Sequence, residues 1–256
     1  CGQEVIDPEI CAKCVETPDL NSSRTERLRY VLNRAKLLLS PSDYFANFYL
    51  DNGLPKAKIV VNKNGVIKPA NTQRFKRAGP VTFGYVGGNT RIKGVHLIVK
   101  VFEKLDLDVK LFVVDNAINL GYSSFVDYFF EQCGNVEIVP AYTQTTIDGF
   151  FESIDVLLFP TQWKESFGLT VREALSRNVW VIATDAGGVT EDIVDGQNGY
   201  IVPFDDDGSS LLDAVVDTVH YFDQIDLGSV VELNHPPITW FEDQANELAE
   251  FFLAIN

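Results

Sequence analysis

From residue 81 onward the chain alternates short runs of β-branched and aromatic residues with stretches of helical spacing. The runs are VTFGYV (81–86), VKLFVV (109–114), VEIV (136–139), VLLFP (156–160), WVIAT (180–184) and GYIVP (199–203). They are apolar at successive positions rather than at alternate ones, so each strand has to bury both of its faces. Between them, residues 94–105, 123–133, 145–153, 167–177, 188–195 and 208–223 read as helices. Strands separated in this way predict a parallel sheet with helices on both faces, a Rossmann-like α/β fold whose ligands belong at the carboxyl ends of the strands.

The first 76 residues hold a shorter version of the same pattern: a helix over 24–36, the strand KLLLS, a helix over 43–52 and the strand KIVV. Two such steps are too few for a domain. Residues 1–76 are therefore expected to be the remnant of an amino-terminal α/β domain, with the polar, basic stretch 66–79 as linker and residues 77–237 as the Rossmann-like domain. After Pro236-Pro237, Thr239 and Glu242 form a capping box for a last helix within 238–256. Its apolar stripe of Ala245, Leu248, Ala249 and Phe252 predicts packing back on the amino-terminal part. A chain that opens on Cys1 and contains no Met is expected to be a portion of a longer protein.

The formal charge of −15 is unevenly spread. Residues 1–140 hold 18 Lys and Arg against 15 Asp and Glu, a net of +3, whereas residues 141–256 hold 3 against 21, a net of −18. So acidic a surface argues against a nucleic-acid partner. It also repels a diphosphate at long range, so a phosphate site here requires local cations and oriented N–H groups. No apolar run approaches the roughly 20 residues that span a bilayer, and the expectation is a cytoplasmic protein, peripheral at a membrane only through the missing domain. Cys1, Cys11 and Cys14 have the spacing of three zinc-knuckle ligands, but reduced thiols near a terminus are the simpler reading, and Cys133 reads as a core thiol. The Asp-x-Asp patterns at 106–108 and 205–207 read as a polar turn and an acidic loop, so no metal site is assigned. His96, His220 and His235 have no partner pattern and read as structural. Arg24, Arg27 and Arg34 read as the solvated flank of a helix that packs through Leu28, Val31, Leu32 and Ala35.

Chemistry concentrates in KESFGLTVREAL, residues 164–175, where Glu165 and Glu173 flank a Phe167-Gly168 turn at the mouth of a helix. Eight residues at about 1.5 Å each set the carboxylates roughly 10 Å apart, too far to share a proton. That interval suits an elongated ligand better than the carboxylate pair of a glycoside hydrolase. The N–H groups of Phe167, Gly168, Leu169 and Thr170 lie where a helix start favours phosphate, and a nucleoside diphosphate sugar has hydroxyls at both ends and phosphates between. The first strand runs into GYVGGNTRIKG (84–94), which is neither GxGxxG nor a P-loop; taken alone it is a tight turn carrying a solvated lysine.

Taken together and in order, GG-x4-KG (87–94), Glu165-x7-Glu173, DAGGVTEDIVDGQNGYIVP (185–203) and ITWFEDQANELAEFF (238–252) resemble the retaining glycosyltransferases of family 4, which have the GT-B fold. The similarity extends to SPSDYFANFYLDNG and VVNKNGV in the amino-terminal part. It implies that the carboxyl-terminal domain binds a nucleotide-sugar donor, with a glycan or lipid-linked acceptor as the other partner and no metal cofactor. It further implies that Gly87, Gly88, Lys93 and Thr170 meet the diphosphate, and that Glu165, the catalytic candidate, holds the sugar with Phe167, Gly168 and Leu169. Glu173 would bind the ribose, and the base would lie near Pro140–Tyr142, with Tyr142 its candidate contact. Many relatives have arginine where this chain has Gly88, so either Asn89 or Arg91 replaces that phosphate contact or the affinity is lower. Two other readings stand beside the transferase: a non-catalytic nucleotide-sugar or glycan-binding module, and a GT-B-like sugar-nucleotide epimerase.

Overall fold

The computed structural model describes residues 7–126, 129–205 and 207–254. The chain divides into two units, Val66–Ile238 and the residues up to Gly65 together with those from Thr239 on.

In the smaller unit, helices α1 (Pro8–Ala12) and α2 (Pro18–Arg34) are followed by β1 (Leu38–Ser40), α3 (Asp43–Asp51) and β2 (Ile59–Val61). The helix expected over 24–36 begins earlier because Pro18 occupies its first position, where a missing N–H costs nothing. No residue of α2 is buried. The face expected to pack is open, with Leu28 and Val31 at 50% and 56% exposure. Strands β1 and β2 pair in parallel, and Ser42 caps α3 by accepting from the Phe45 N–H at 3.0 Å. The closing helix runs Phe241–Ala254, so Trp240 precedes it where Thr239 was expected to cap. Its predicted stripe is not a packed seam: Ala245, Ala249 and Phe252 are exposed. The helix is tied down by polar contacts instead, the Asn62 amide donating to Glu247 at 2.5 Å and the Gly65 N–H to Gln244 at 2.8 Å.

The larger unit contains β3 (Arg74–Phe75), β4 (Val81–Tyr85), α4 (Val95–Lys104), β5 (Val109–Asp115), β6 (Val136–Pro140), α5 (Ile147–Ser153), β7 (Val156–Phe159), α6 (Leu169–Leu175), β8 (Trp180–Thr184), β9 (Gly199–Val202), α7 (Ser209–Asp223) and β10 (Val230–Val231). The six expected strands form one parallel sheet in the order β6-β5-β4-β7-β8-β9. Every residue of β4 and β8 is buried, whereas the edge strands β6 and β9 are only partly so. This is the burial that apolar runs without alternation predict for a sheet covered on both faces. Helices α4 and α7 share one core with Phe83, Leu111, Leu158 and Ile182, each such side chain contributing roughly 1.5–3 kcal/mol by its removal from water. On the opposite face Gly84 is approached by Ile154 and Phe150 so closely that a Cβ would collide.

Three sequence expectations fail here for local reasons. None of the described residues in 123–133 is helical, and 127 and 128 lie outside the described residues. The buried Asp115 carboxylate collects the N–H and hydroxyl of Ser124 and the hydroxyl of Ser123, which turns the chain. The apolar spacing of this segment comes from a cluster of Phe125, Phe129 and Phe130, with ring centroids 4.9–5.4 Å apart. The helix expected over 188–195 contracts to one 3-10 turn, Thr190–Asp192. The stretch 66–79 is not a free linker: β3 pairs antiparallel with β10, Arg74 donates to the carbonyls of Phe151 (2.8 Å) and Ile154, and Arg77 meets Asp155 at 2.9 Å. The division between units therefore falls at Gly65–Val66 and not at 76–77.

Candidate functional site

In the strand order the chain leaves β4 toward one edge and returns to β7 on the other side of β4. This reversal opens a crevice at the carboxyl ends of β4 and β7, the place where open α/β sheets hold ligands. Both glycine-lysine and two-glutamate segments emerge there.

The loop after β4 is held from below. The Tyr85 hydroxyl donates to the Gly88 carbonyl at 2.9 Å and lies under Gly87, where a Cβ would strike its ring. Tyr85 is itself buried, which pushes its phenol above the ordinary range and keeps it a neutral donor. Gly88 has φ +68 and Gly94 φ +79, and a Cβ on Gly94 would collide with the Pro160 carbonyl. That close approach joins the two loops. The Gln162 N–H donates to the Ile92 carbonyl at 2.6 Å, and the Thr161 hydroxyl to the same oxygen at 3.2 Å. Lys93, which ends a 3-10 turn before α4, reaches across the crevice to Glu165 Oε1 at 2.5 Å. Thr161 donates to the same carboxylate oxygen at 3.2 Å.

Glu165 lies on the loop after β7 and pairs through its backbone with the loop after β8. Its N–H donates to Ala186 at 2.8 Å and its carbonyl accepts from Gly188 at 3.1 Å. Phe167 has its side chain in the core, so it could meet a ligand only through its backbone. Gly168, at φ +86, caps α6, while Leu169 is exposed and Thr170 half-buried. Because α6 starts at Leu169, the Phe167 N–H lies ahead of the helix, and Glu173 comes just after its first turn.

Glu173 belongs to a separate network. The Tyr142 hydroxyl, from the loop after β6, donates to it at 3.2 Å, and Tyr142 also interacts with Thr170. Burial raises the Glu173 carboxyl above its usual value, an effect opposed by the Tyr142 hydrogen bond and by Arg177. Tyr142 stacks on Phe150 with centroids 5.0 Å apart. Of the two substitutes considered for the arginine replaced by Gly88, Asn89 is engaged, donating to the Ser124 carbonyl at 2.7 Å, and Arg91 is exposed.

Sequence reasoning missed Arg172, which stands between the two glutamates. It is 1% exposed and its Nε donates to Asp192 at 2.6 Å. Its remaining N–H groups donate to the carbonyls of Gly188 at 2.8 Å, Val189 at 3.0 Å and Phe167. The available signal was its position inside a short helix flanked by Val171, Ala174 and Leu175, all buried.

The other polar candidates fall away from the crevice or do local work. Asp205 accepts from the N–H groups of Gly208 and Ser210, and Asp207 from Ser209, at the start of α7; residue 206 lies outside the described residues. Cys1 also lies outside them, Cys11 is partly exposed and Cys14 exposed. Cys133 is buried, which raises its thiol to about 11.

Residues 68–218 match the family described as glycosyl transferases group 1. The chain belongs to this family. Among curated relatives it is 29% identical over 164 residues to the capsular polysaccharide biosynthesis glycosyltransferase CapM of Staphylococcus aureus, a match covering 62% of this chain and 38% of that protein. It is 26% identical over 174 residues to an uncharacterized glycosyltransferase of Methanocaldococcus jannaschii, covering 68% of this chain and 47% of the relative. The chain thus spans less than half the length of these two proteins. A similar solved structure is HepE of Anabaena in complex with UDP-glucose, with a TM-score of 0.67 at 16% identity over 93% of this chain and 70% of that one. The fold is that of GT-B glycosyltransferases.

Proposed function

We propose that this chain is the donor-binding portion of a retaining glycosyltransferase of family 4, which moves a sugar from a nucleoside diphosphate sugar to a hydroxyl of a glycan or glycolipid. The observation that carries this reading is the Lys93–Glu165 contact across the crevice, with Glu173 farther along on α6 beside Tyr142. In that frame Glu173 accepts from the ribose diol, Lys93 faces the diphosphate with Gly87, Gly88 and Thr170, and Glu165 with the backbone of Phe167, Gly168 and Leu169 holds the sugar. Ionised carboxylates suit hydroxyl pairs and an ammonium suits phosphate oxygens. Tyr142, first a candidate base contact, supports Glu173 through its hydroxyl and offers its ring to the base.

Negative charge builds on the leaving diphosphate as the sugar–oxygen bond breaks, so Lys93 lowers the barrier by being in place beforehand. A metal is not required in this scheme, and transfer undiminished by a chelator is the expected result. Lys93 and Glu165 neutralise each other without donor; bound phosphate then competes for the ammonium and frees Glu165 for sugar hydroxyls. The polysaccharide relative and the UDP-glucose complex support a nucleotide-sugar donor and a glycan product.

Isothermal titration with UDP-, GDP- and ADP-sugars tests the roles. Lys93→Ala and Glu173→Ala are each expected to weaken donor binding by about tenfold, the loss of one charge-assisted hydrogen bond. Unchanged binding in both variants overturns the assignment. The anomeric configuration of the product, read by NMR on a protein that includes the acceptor side, decides between retention and inversion.

A further inference from the structure

We propose that Arg172 is a positioning residue of the donor site, setting the interval between Glu165 and Glu173 without touching the ligand. The inference rests on the donor reading above for its consequence and on buried geometry for its mechanism.

A buried ion pair is a poor device for stability alone. Desolvation offsets most of its attraction, and a well-packed apolar pair of similar volume usually serves as well or better. Arg172 and Asp192, 1% and 3% exposed, therefore call for another explanation. The guanidinium supplies it by bridging two loops: it takes the Phe167 carbonyl from the loop after β7 and those of Gly188 and Val189 from the loop after β8. Its plane also lies over the Phe167 ring, 4.1 Å from the centroid. Only a rigid fork of donors reaches so many acceptors, and lysine at this place offers one point charge.

The consequence for the crevice follows from peptide geometry. In a trans peptide the carbonyl and the next N–H point in opposite directions. Drawing the Phe167 carbonyl inward to Arg172 turns the Gly168 N–H the other way, and drawing in Gly188 does the same for Val189. Glu165 is bonded through its own backbone to Ala186 and Gly188, so the loop that Arg172 holds also sets the backbone of Glu165. Arg172 is adjacent in sequence to Glu173 on α6. One side chain thereby links the frames of the two glutamates.

Two variants test this. Arg172→Lys keeps a charge facing Asp192, and the paired Arg172→Met/Asp192→Leu removes both charges and leaves neither buried alone. UDP and GDP should bind each folded variant within about threefold of wild type. The extra affinity of UDP-glucose or GDP-mannose over the bare nucleotide should fall by about tenfold, as one lost charge-assisted hydrogen bond would produce. In slow hydrolysis of the donor, where KM follows donor affinity, KM should rise about tenfold with the lost affinity and kcat should fall as well, so that kcat/KM drops by more than tenfold. A folded variant that retains the sugar-dependent gain and kcat overturns the proposal. Amide hydrogen exchange separates this from a failure of the donor reading. Faster exchange at 165–170 and 186–190 in Arg172→Lys is expected with or without ligand, and unchanged exchange there overturns the positioning role whatever binds. A wild-type protein that binds no nucleoside diphosphate sugar overturns the donor reading instead.

Discussion

At the scale of single residues, the ribose role proposed for Glu173 is set against stability. Burial raises its carboxyl from the usual 4.5, so the folded state binds a proton more readily than the unfolded chain does. The ionised form is therefore a net cost above the folded value, and that cost is relieved as pH falls through the raised value toward 4.5. Glu173→Gln still accepts from Tyr142 and carries no charge. It is expected to melt above wild type at neutral pH, with the gap closing under acid, while losing donor affinity by about tenfold. Donor affinity of wild type should decline with falling pH earlier than for an ordinary carboxylate, and that of the variant should stay flat. Thermal melts and titrations across pH 4–8 check both. The two glutamates were legible because their interval is a property of the chain. Arg172 was not, because a lone arginine in a helical pattern looks like a solvated face until the two loops that enclose it are known.

At the scale of elements, the strands were legible and the loops were not. A run such as VLLF, buried on both faces, has few alternatives to a central strand, whereas the carboxylate of Asp115 redirects 123–133 through contacts that no periodicity encodes. Glycines in the β4 loop illustrate two different constraints. Gly88 is left-handed with open space around it, so Gly88→Ala is expected to cost only about 1–2 kcal/mol, the penalty of that backbone conformation. Gly94 is left-handed and also abuts the Pro160 carbonyl, so Gly94→Ala should cost clearly more and part the loops after β4 and β7. Urea unfolding gives the first comparison, and donor titration the second: binding should weaken in both variants, and more in Gly94→Ala. The left-handed backbone also gives a physical reason for the absence of arginine at 88.

At the scale of the whole molecule, Lys93, Tyr142, Glu165, Thr170, Arg172 and Glu173 all lie between Val66 and Ile238. That stretch contains the complete six-stranded sheet and its core. Expressed alone, residues 66–238 are expected to fold cooperatively and bind nucleotide sugar within about threefold of the 256-residue chain, since each half-kilocalorie is little more than a factor of two. Loss of binding in a folded 66–238 would place an essential donor contact in the remaining residues. The strongly acidic second half of the sequence contributes only Lys164, Arg172 and Arg177 as cations, and two of these are buried, so the donor role proposed above draws its β4-side cations, Lys93 and the exposed Arg91, from the first half.

That dependence of one half on the other begins before the protein is finished. With β4 and β7 adjacent in the sheet but Lys93 and Glu165 separated by 72 positions, a nascent chain emerging from the ribosome displays Lys93 long before Glu165 exists. Strands β5 and β6 can pair with β4 first, but the crevice has only one wall until β7 docks. Donor binding should therefore report completion of the sheet, and truncation anywhere before β8 should silence it outright instead of weakening it by degrees.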